Sequence, residues 1–92
     1  MLFYPAVLFD PDANGVHGCI VPDLLINAAG DTIDDALRNA AASMVELFGM
    51  MDHDGEPFPD PTPADEMDLR GGTLAMIGAP PPALAHIPVA AE

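Results

Sequence analysis

The sequence predicts an α+β fold in which an antiparallel sheet is covered on one face by a single long helix. Three observations predict it. Short apolar segments separated by turn residues fill positions 2–30, a long amphipathic segment fills 31–52, and another short apolar segment lies at 83–89. Strands joined by short turns pair antiparallel, and an amphipathic helix needs a sheet to bury its apolar face. The expected order is βββαβ, in one domain of 92 residues.

The first three strands are predicted at Leu2–Phe9, Val16–Val21 and Leu24–Ala29. Their aromatic, aliphatic and β-branched residues favour strands. Between the first two, Asn14-Gly15 is typical of a hairpin turn that needs positive φ angles. Pro5 cannot donate to a ladder, which predicts a free edge near the start of the first strand.

The helix is the most strongly specified element. Thr32 is a candidate N-cap, Asp35 follows three residues later, and acidic residues in the first turn suit the helix dipole. Arg38 is expected to pair with Asp34 on the solvent side, and Gly55 is a candidate left-handed stop. Apolar residues at three- and four-residue spacing predict one buried face: Ile33, Leu37, Ala40, Met44, Leu47, Phe48 and Met51.

The chain after the helix is harder to interpret. Residues 53–72 are acidic and rich in proline, which predicts an extended loop. Within this loop, Thr62 is a candidate cap for one or two helical turns that begin at Pro63. Thr73–Ile77 is compatible with strand or helix, whereas Ala83–Val89 predicts the final strand.

The charge is strongly unbalanced, with fifteen acidic residues, two arginines and a formal net charge of −13. Direct nucleic-acid binding depends on Lys and Arg that neutralise phosphates, so this chain is not expected to bind nucleic acid itself. The acidity suits a basic partner, because opposite potentials accelerate encounter. Solubility alone would also account for it, and composition leaves both interpretations open.

Composition also bounds the cellular setting. The single Cys19 excludes an intramolecular disulfide. The N-terminus lacks the basic and small-residue pattern of a signal peptide, and no apolar run approaches the roughly 20 residues of a membrane span. These features predict a cytoplasmic protein without a membrane segment.

Five short motifs occur in a fixed order: Tyr4-Pro5-Ala6-Val7, an Asp/Asn/Gly hairpin, Val21-Pro22-Asp23-Leu24, Gly30-Asp31-Thr32-Ile33-Asp34-Asp35-Ala36-Leu37, and Asp54-Gly55-Glu56-Pro57 followed by alternating prolines. Together they resemble the HicB family, the antitoxins of HicA–HicB toxin–antitoxin pairs. The resemblance extends from about Leu2 to Pro63. It is more specific than any one motif, because the five motifs occur in the family's order at close to its spacing.

The resemblance implies a partial ribonuclease H-like fold. It also implies a partner, a small basic HicA-like toxin of double-stranded-RNA-binding fold whose mRNA cleavage the protein blocks. Family members often carry a C-terminal DNA-binding segment, and we expect none in this chain, which ends at Glu92. Leu25–Ala29 replaces the family's Pro-Gly turn and is one residue shorter, which leaves the register of the third strand open.

A ribonuclease H-like fold raises the question of metal-dependent catalysis. Asp10 and Glu46 are the only carboxylates to nominate, and two carboxylates without a third do not make such a site. Cys19 fits a small buried hydrophobe better than a nucleophile, although His17 lies on the same strand face. We expect no catalytic, metal or cofactor site and no small-molecule substrate. The histidines lack ligand spacing: His17, His53 and His86.

The function expected from these features is that of a non-enzymatic antitoxin that covers the active surface of the toxin. An orphan oligomerisation module of the same fold is the alternative, and a metal-dependent nuclease is a remote one. Self-association into dimers or larger homo-oligomers is expected. The candidate partner-binding residues are acidic and follow the helix, and we call them the acidic exit: Asp52, Asp54, Glu56 and Asp60. A solvated acidic loop is the competing interpretation.

Overall fold

The computed structural model of the chain describes residues 1–82. They form a four-stranded antiparallel sheet with one long helix packed on one face, which confirms the α+β class. Single 3₁₀ turns lie at Pro22–Leu24 and Ala64–Glu66. The main elements are β1 (Leu2–Leu8), β2 (His17–Val21), β3 (Ile26–Gly30), α1 (Ile33–Asp54) and β4 (Thr73–Ala79).

The strand order is β3-β2-β1-β4. β4 pairs with β1 along its whole length, from Leu2 opposite Ala79 to Leu8 opposite Thr73. Thr73–Ile77, for which the sequence left both strand and helix open, is therefore part of a strand that completes the sheet beside β1. The strand expected at Ala83–Val89 lies outside the described residues.

Pro5 lies inside the sheet, in a strand with neighbours on both sides. The β1–β2 ladder covers only Val7 and Leu8 on β1, so Pro5 lies beyond its end. The free edge predicted from Pro5 is thus a gap between β1 and β2, and it is not an outer edge of the sheet. Pro5 itself is fully buried.

The third strand begins at Ile26, two residues later than predicted, because Pro22–Leu24 forms a 3₁₀ turn that buries Leu24. Leu25 closes this turn in the left-handed conformation, with φ 55°, and is 93% exposed. Its N–H donates to the carbonyl of Pro22. The sequence left the register of the third strand open. In the structure β3 pairs with β2 so that Val21 lies opposite Ile26.

The hairpin between β1 and β2 is organised by Asp12. Its carboxylate accepts the backbone N–H groups of Asn14 and Val16 at 2.8 and 3.0 Å. The Val16 and Asn14 bonds hold the pKa of Asp12 below its ordinary value. Within this hairpin only Gly15 has a positive φ, at 79°. The prediction that Asn14 shares this conformation was wrong, because the Asp12 carboxylate supports a different turn.

Helix α1 has the cap and the stop that the sequence predicts, although it extends from Ile33 to Asp54 and the expected range was 31–52. The Thr32 hydroxyl accepts the N–H of Asp35 at 3.0 Å, and Gly55 ends the helix at φ 72°. Arg38, however, lies 3.9 Å from the carboxylate of Asp35. The predicted partner Asp34 was wrong. This pair is exposed, so its contribution to stability is small.

The buried face of α1 is a row of residues four apart: Ala36, Ala40, Met44 and Phe48. Ile33 was predicted on this face and is 48% exposed. By the hundred-degree turn per residue Ile33 lies within the arc of the buried stripe, so its exposure comes from its place as the first residue of α1, where the side chain leans toward the N-terminus and past the end of the helix. Small residues in the first half let α1 approach the sheet closely, and the larger side chains fill the space beneath its second half.

The core lies between α1 and alternate residues of the sheet. The helix-facing residues are Tyr4, Ala6, Cys19, Val21, Ile77 and Ala79, with Leu24 from the 3₁₀ turn. The opposite face carries Phe3 and Met76, which are half-exposed. Because side chains alternate along a strand, the register alone assigns each residue to its face.

Gly30 is the close contact between β3 and α1. A Cβ at Gly30 would lie 2.4 Å from the backbone N of Ala36, whereas a Cβ at Gly49, on the exposed side of α1, would meet nothing within 4 Å. We expect Gly30→Ala to destabilise the fold by about 1–3 kcal/mol, because the first turn of the helix would have to shift. Gly49→Ala is the matched control and should stabilise by about 0.5–1 kcal/mol.

Urea unfolding of both variants measures the difference. Equal midpoints for Gly30→Ala and the wild type would contradict the close packing of β3 against α1.

Candidate functional site

The segment after α1 is held against the domain by a row of aromatic rings. The Phe58 ring lies 4.9 Å from that of Phe48, centroid to centroid, and Phe48 lies 5.9 Å from Tyr4 on β1. Tilted aromatic pairs at these distances add to the energy of burial. The hydroxyl of Tyr4 donates to the backbone carbonyl of Pro59. One buried side chain therefore contacts the sheet, the helix and the proline-rich segment.

A second attachment lies a few residues further along. The carboxylate of Asp23, in the 3₁₀ turn after β2, accepts the N–H of Thr62 at 2.8 Å and its hydroxyl at 2.6 Å. Thr62 was predicted to cap a short helix, and this was wrong, since its hydroxyl is committed to Asp23. A single 3₁₀ turn follows Pro63, without a side-chain cap. Hydrogen bonds to a charged group are among the stronger ones.

The acidic exit is arranged around these attachments. Asp52 and Asp54 lie in the last turn of α1, Glu56 follows Gly55, and Asp60 lies between Pro59 and Thr62. All four acids are exposed. Burial and the nearby charges of Asp23 and Asp60 raise the pKa of Tyr4. Asp52 and Asp54 are thus carried on α1, and Glu56 and Asp60 on the segment that is attached at Phe58, Pro59 and Thr62.

Beside the acidic exit, the solvent side of α1 lines a shallow groove of about 570 Å³. Met50, 63% exposed, is its large apolar residue. The carboxylates of Glu46 and Asp54 also line the groove. The full lining is Glu46, Gly49, Met50, His53 and Asp54. Sequence reasoning missed Glu46 as part of this surface. Glu46 precedes His53 by seven residues and Asp54 by eight. This spacing would have placed the three residues on one face of the helix.

The two arginines form ion pairs with acids outside the acidic exit. Arg38 lies 3.9 Å from Asp35 in the first turns of α1, and Arg70 lies 3.9 Å from Asp68. The sequence from Asp52 to Asp68 holds seven acidic residues and neither Lys nor Arg. This surface therefore presents a negative potential that attracts cations and basic proteins.

The residues weighed for catalysis do not form a cluster. Asp10 and Glu46 are both exposed, and among residues 1–82 no three His, Cys, Asp or Glu side chains are placed to hold a metal ion. Cys19 is fully buried, and burial raises the pKa of its thiol. Nδ1 of His17 is buried with no hydrogen-bond partner in the described part of the chain. No helix within it is long and apolar enough to cross a membrane.

The architecture matches solved structures. The N-terminal domain of the Burkholderia pseudomallei antitoxin HicB superposes with a TM-score of 0.74 at 23% sequence identity, over 84% of this chain and 96% of that domain. The chain has the fold of a HicB N-terminal domain. No protein-family model and no curated protein matches the sequence.

Two further structures extend this likeness to HicB. The B. pseudomallei antitoxin HicB matches with a TM-score of 0.73 at 25% identity, over 85% of this chain, which spans only 63% of that protein. A HicA3 and HicB3 toxin–antitoxin complex contains a chain that matches with a TM-score of 0.67 at 25% identity, over 87% of this chain and 100% of that one. The resemblance to HicB seen in the sequence motifs is confirmed by structure.

The Tyr4 hydroxyl should titrate above its ordinary pKa of 10.0, since burial and two nearby carboxylates disfavour the phenolate. A raised folded-state pKa means that the stability from neutral Tyr4 is complete below pH 10 and is lost as the pH rises through the folded pKa. Phenolate absorbance reports Tyr4 alone, because the chain has one tyrosine and no tryptophan.

Tyr4→Phe is the control. It should lower stability by about 1 kcal/mol at neutral pH and leave only the Cys19 thiol to titrate in the core at alkaline pH. A phenolate midpoint at or below 10 in the folded protein would refute the buried hydrogen bond.

Loss of the Asp23 carboxylate should release the proline-rich segment. We expect Asp23→Ala to destabilise by about 1–3 kcal/mol and to accelerate amide hydrogen exchange at Thr62, because both bonds to the carboxylate disappear. Thr62→Val removes only the hydroxyl and should have a smaller effect. Unchanged exchange at Thr62 in Asp23→Ala would show that this attachment does not hold the segment.

Proposed function

We propose that this protein is an antitoxin that binds and neutralises a small basic HicA-like toxin. The observation that carries the proposal is the match to a chain of a HicA3 and HicB3 toxin–antitoxin complex, over 87% of this protein. The net charge of −13 supports a basic partner. The proposed activity is binding alone, in the cytoplasm, without a catalytic step and without direct contact between this chain and nucleic acid.

The proposed toxin-facing surface is the acidic exit together with the groove on α1. It combines exposed carboxylates with an apolar contact point, Met50. Charges at the rim of an interface act chiefly on the rate of encounter, whereas a central apolar residue adds to the lifetime of the complex. This division suits an inhibitor that must find its target quickly and stay bound.

The attachments at Phe58, Pro59 and Thr62 support the same assignment. They hold the backbone that carries Glu56 and Asp60 in place before binding, so that less backbone entropy is lost on association. A basic ribonuclease needs its positive surface to hold the RNA phosphates. Carboxylates bound to that surface would exclude RNA by charge and by volume, which is the proposed mechanism of neutralisation.

The direct test is binding of the full chain to purified HicA-like toxin encoded by the adjacent gene, together with rescue of growth arrested by that toxin. We expect a complex whose affinity falls as salt rises. Absence of both binding and rescue would overturn the antitoxin assignment and would favour an orphan module of the same fold.

The surface assignment has its own test. The variant Asp54→Asn, Glu56→Gln, Asp60→Asn should weaken toxin binding about tenfold at low salt, mainly through a slower association rate, and should reduce the salt dependence. The control Asp10→Asn, Asp31→Asn, Asp34→Asn carries the same change in net charge on other exposed positions. If both triple variants lose affinity equally, only overall charge matters and the toxin does not bind at the acidic exit.

A further inference from the structure

Leu25 combines two features that stability alone does not favour. Its side chain is 93% exposed, the highest value among the large apolar residues in the described part of the chain. Its backbone is left-handed, with φ 55°, a conformation that crowds the Cβ of every residue except glycine. An isolated exposed leucine is ordinary on a protein surface. A leucine held in a conformation that asparagine or glycine adopts at lower cost calls for an explanation.

Arg70 is the other non-glycine residue with a positive φ within residues 1–82, at 50°. Its backbone N–H donates to the Asp68 carboxylate at 3.1 Å, and its Nε lies 3.9 Å from the same carboxylate. Arg70 thus keeps a polar side chain in water beside a local partner. Leu25 instead places hydrocarbon in water and takes no part in the hydrophobic core. The fold therefore depends on the backbone conformation of Leu25 and not on its side chain.

The backbone around Leu25 is held in place on both sides. Leu24, before it, is buried in the core, and the N–H of Leu25 donates to the Pro22 carbonyl at 3.2 Å. After it, β3 pairs with β2, and the side-chain amide of Asn39 on α1 donates to the carbonyl of Ala29 at 2.7 Å. The exposed side chain is therefore carried on a fixed backbone, which reduces the entropy lost when a partner covers it.

Leu25 lies where the acidic exit is attached to the sheet. Asp23, two residues before it, accepts both hydrogen bonds from Thr62 and so holds the proline-rich segment beside the 3₁₀ turn. Burial and then the charges of Asp23 and Asp60 raise the pKa of Tyr4, so both carboxylates lie on the side of the domain that its hydroxyl faces. The fold thus brings an exposed leucine and the exposed carboxylate of Asp60, which are far apart in sequence, to one surface.

We propose that Leu25 is an apolar anchor of the toxin-facing surface and inserts into a recess of a basic partner between lysine and arginine side chains. The inference rests on the proposed antitoxin function and adds a second apolar contact to that surface, beyond Met50. The carboxylates would then pair with a basic rim around an apolar centre, as in other protein interfaces. Burial of a leucine that is almost wholly exposed is favourable in proportion to the apolar area removed from water.

A basic protein is the occupant that this surface fits. Asp23 and Asp60 lie on the same side as the leucine, and the sequence from Asp52 to Asp68 holds neither Lys nor Arg. A second copy of the chain would bring like charges face to face, which disfavours self-association here. A neutral apolar partner would cover the carboxylates without pairing them. Only a basic partner compensates the charge while it covers the leucine.

The variant Leu25→Asn separates binding from folding. Asparagine adopts the left-handed conformation more readily than leucine, so the urea midpoint should stay the same or rise. Binding to the purified HicA-like toxin encoded by the adjacent gene should weaken about tenfold, because an apolar contact is lost. The loss should come mainly from faster dissociation, since the charges that govern encounter remain. Leu25→Met keeps a hydrocarbon side chain and should retain most of the affinity.

Met76→Asn is the matched control. It makes the same polar replacement at another exposed apolar residue, which is 53% exposed and lies on the sheet face opposite α1. This variant should bind the toxin as the wild type does. The salt dependence of binding should be the same in Leu25→Asn as in the wild type, in contrast to the variant that neutralises three residues of the acidic exit.

A wild-type chain that does not bind the toxin would overturn the antitoxin assignment and the role of Leu25 with it. Equal affinity of the wild type and Leu25→Asn for the toxin would overturn the role of Leu25 alone. A lower urea midpoint in Leu25→Asn would show that the side chain serves the fold, and would overturn it as well. An equal loss of affinity in Met76→Asn would do the same, because exposed apolar residues in general would then account for the effect.

Discussion

The hydrogen bond from the Tyr4 hydroxyl to the Pro59 carbonyl joins the three parts of the domain. The Tyr4 ring packs beside Phe48 of the helix, and the Tyr4 backbone belongs to β1. The Tyr4 hydroxyl reaches the segment that follows the helix. A phenylalanine could fill the same space but would leave a carbonyl without this donor. The proline-rich segment has little secondary structure of its own, so its position depends on such side-chain contacts from the folded core.

The two ends of the helix, which are encoded by neighbouring residues, were predictable from the sequence. The cap at Thr32 and the stop at Gly55 each involve groups within a few positions, and both were confirmed. β4 could not be assigned in advance, because one of its faces meets the helix and the other carries Leu74 and Met76. Apolar residues on both faces remove the alternation that distinguishes a strand from a helix.

In the candidate site, too, the local features could be predicted and the long-range contacts could not. The acidic exit could be named from composition, because charge is a property of residues wherever they lie. Its attachment could not be predicted, since Asp23 and Thr62 are 39 positions apart and no local pattern links them. Thr62 before Pro63 has the local signature of a helix cap, and the tertiary contact with Asp23 overrides it.

The Asn39 amide has a consequence for the size of any assembly. A sheet with two open edges can add copies at both sides and grow into a fibre. Here the carbonyl of Ala29 at one edge already accepts the Asn39 amide, which removes one acceptor from those that β3 offers to another strand. A single side chain on the helix therefore disfavours the addition of further copies at this edge.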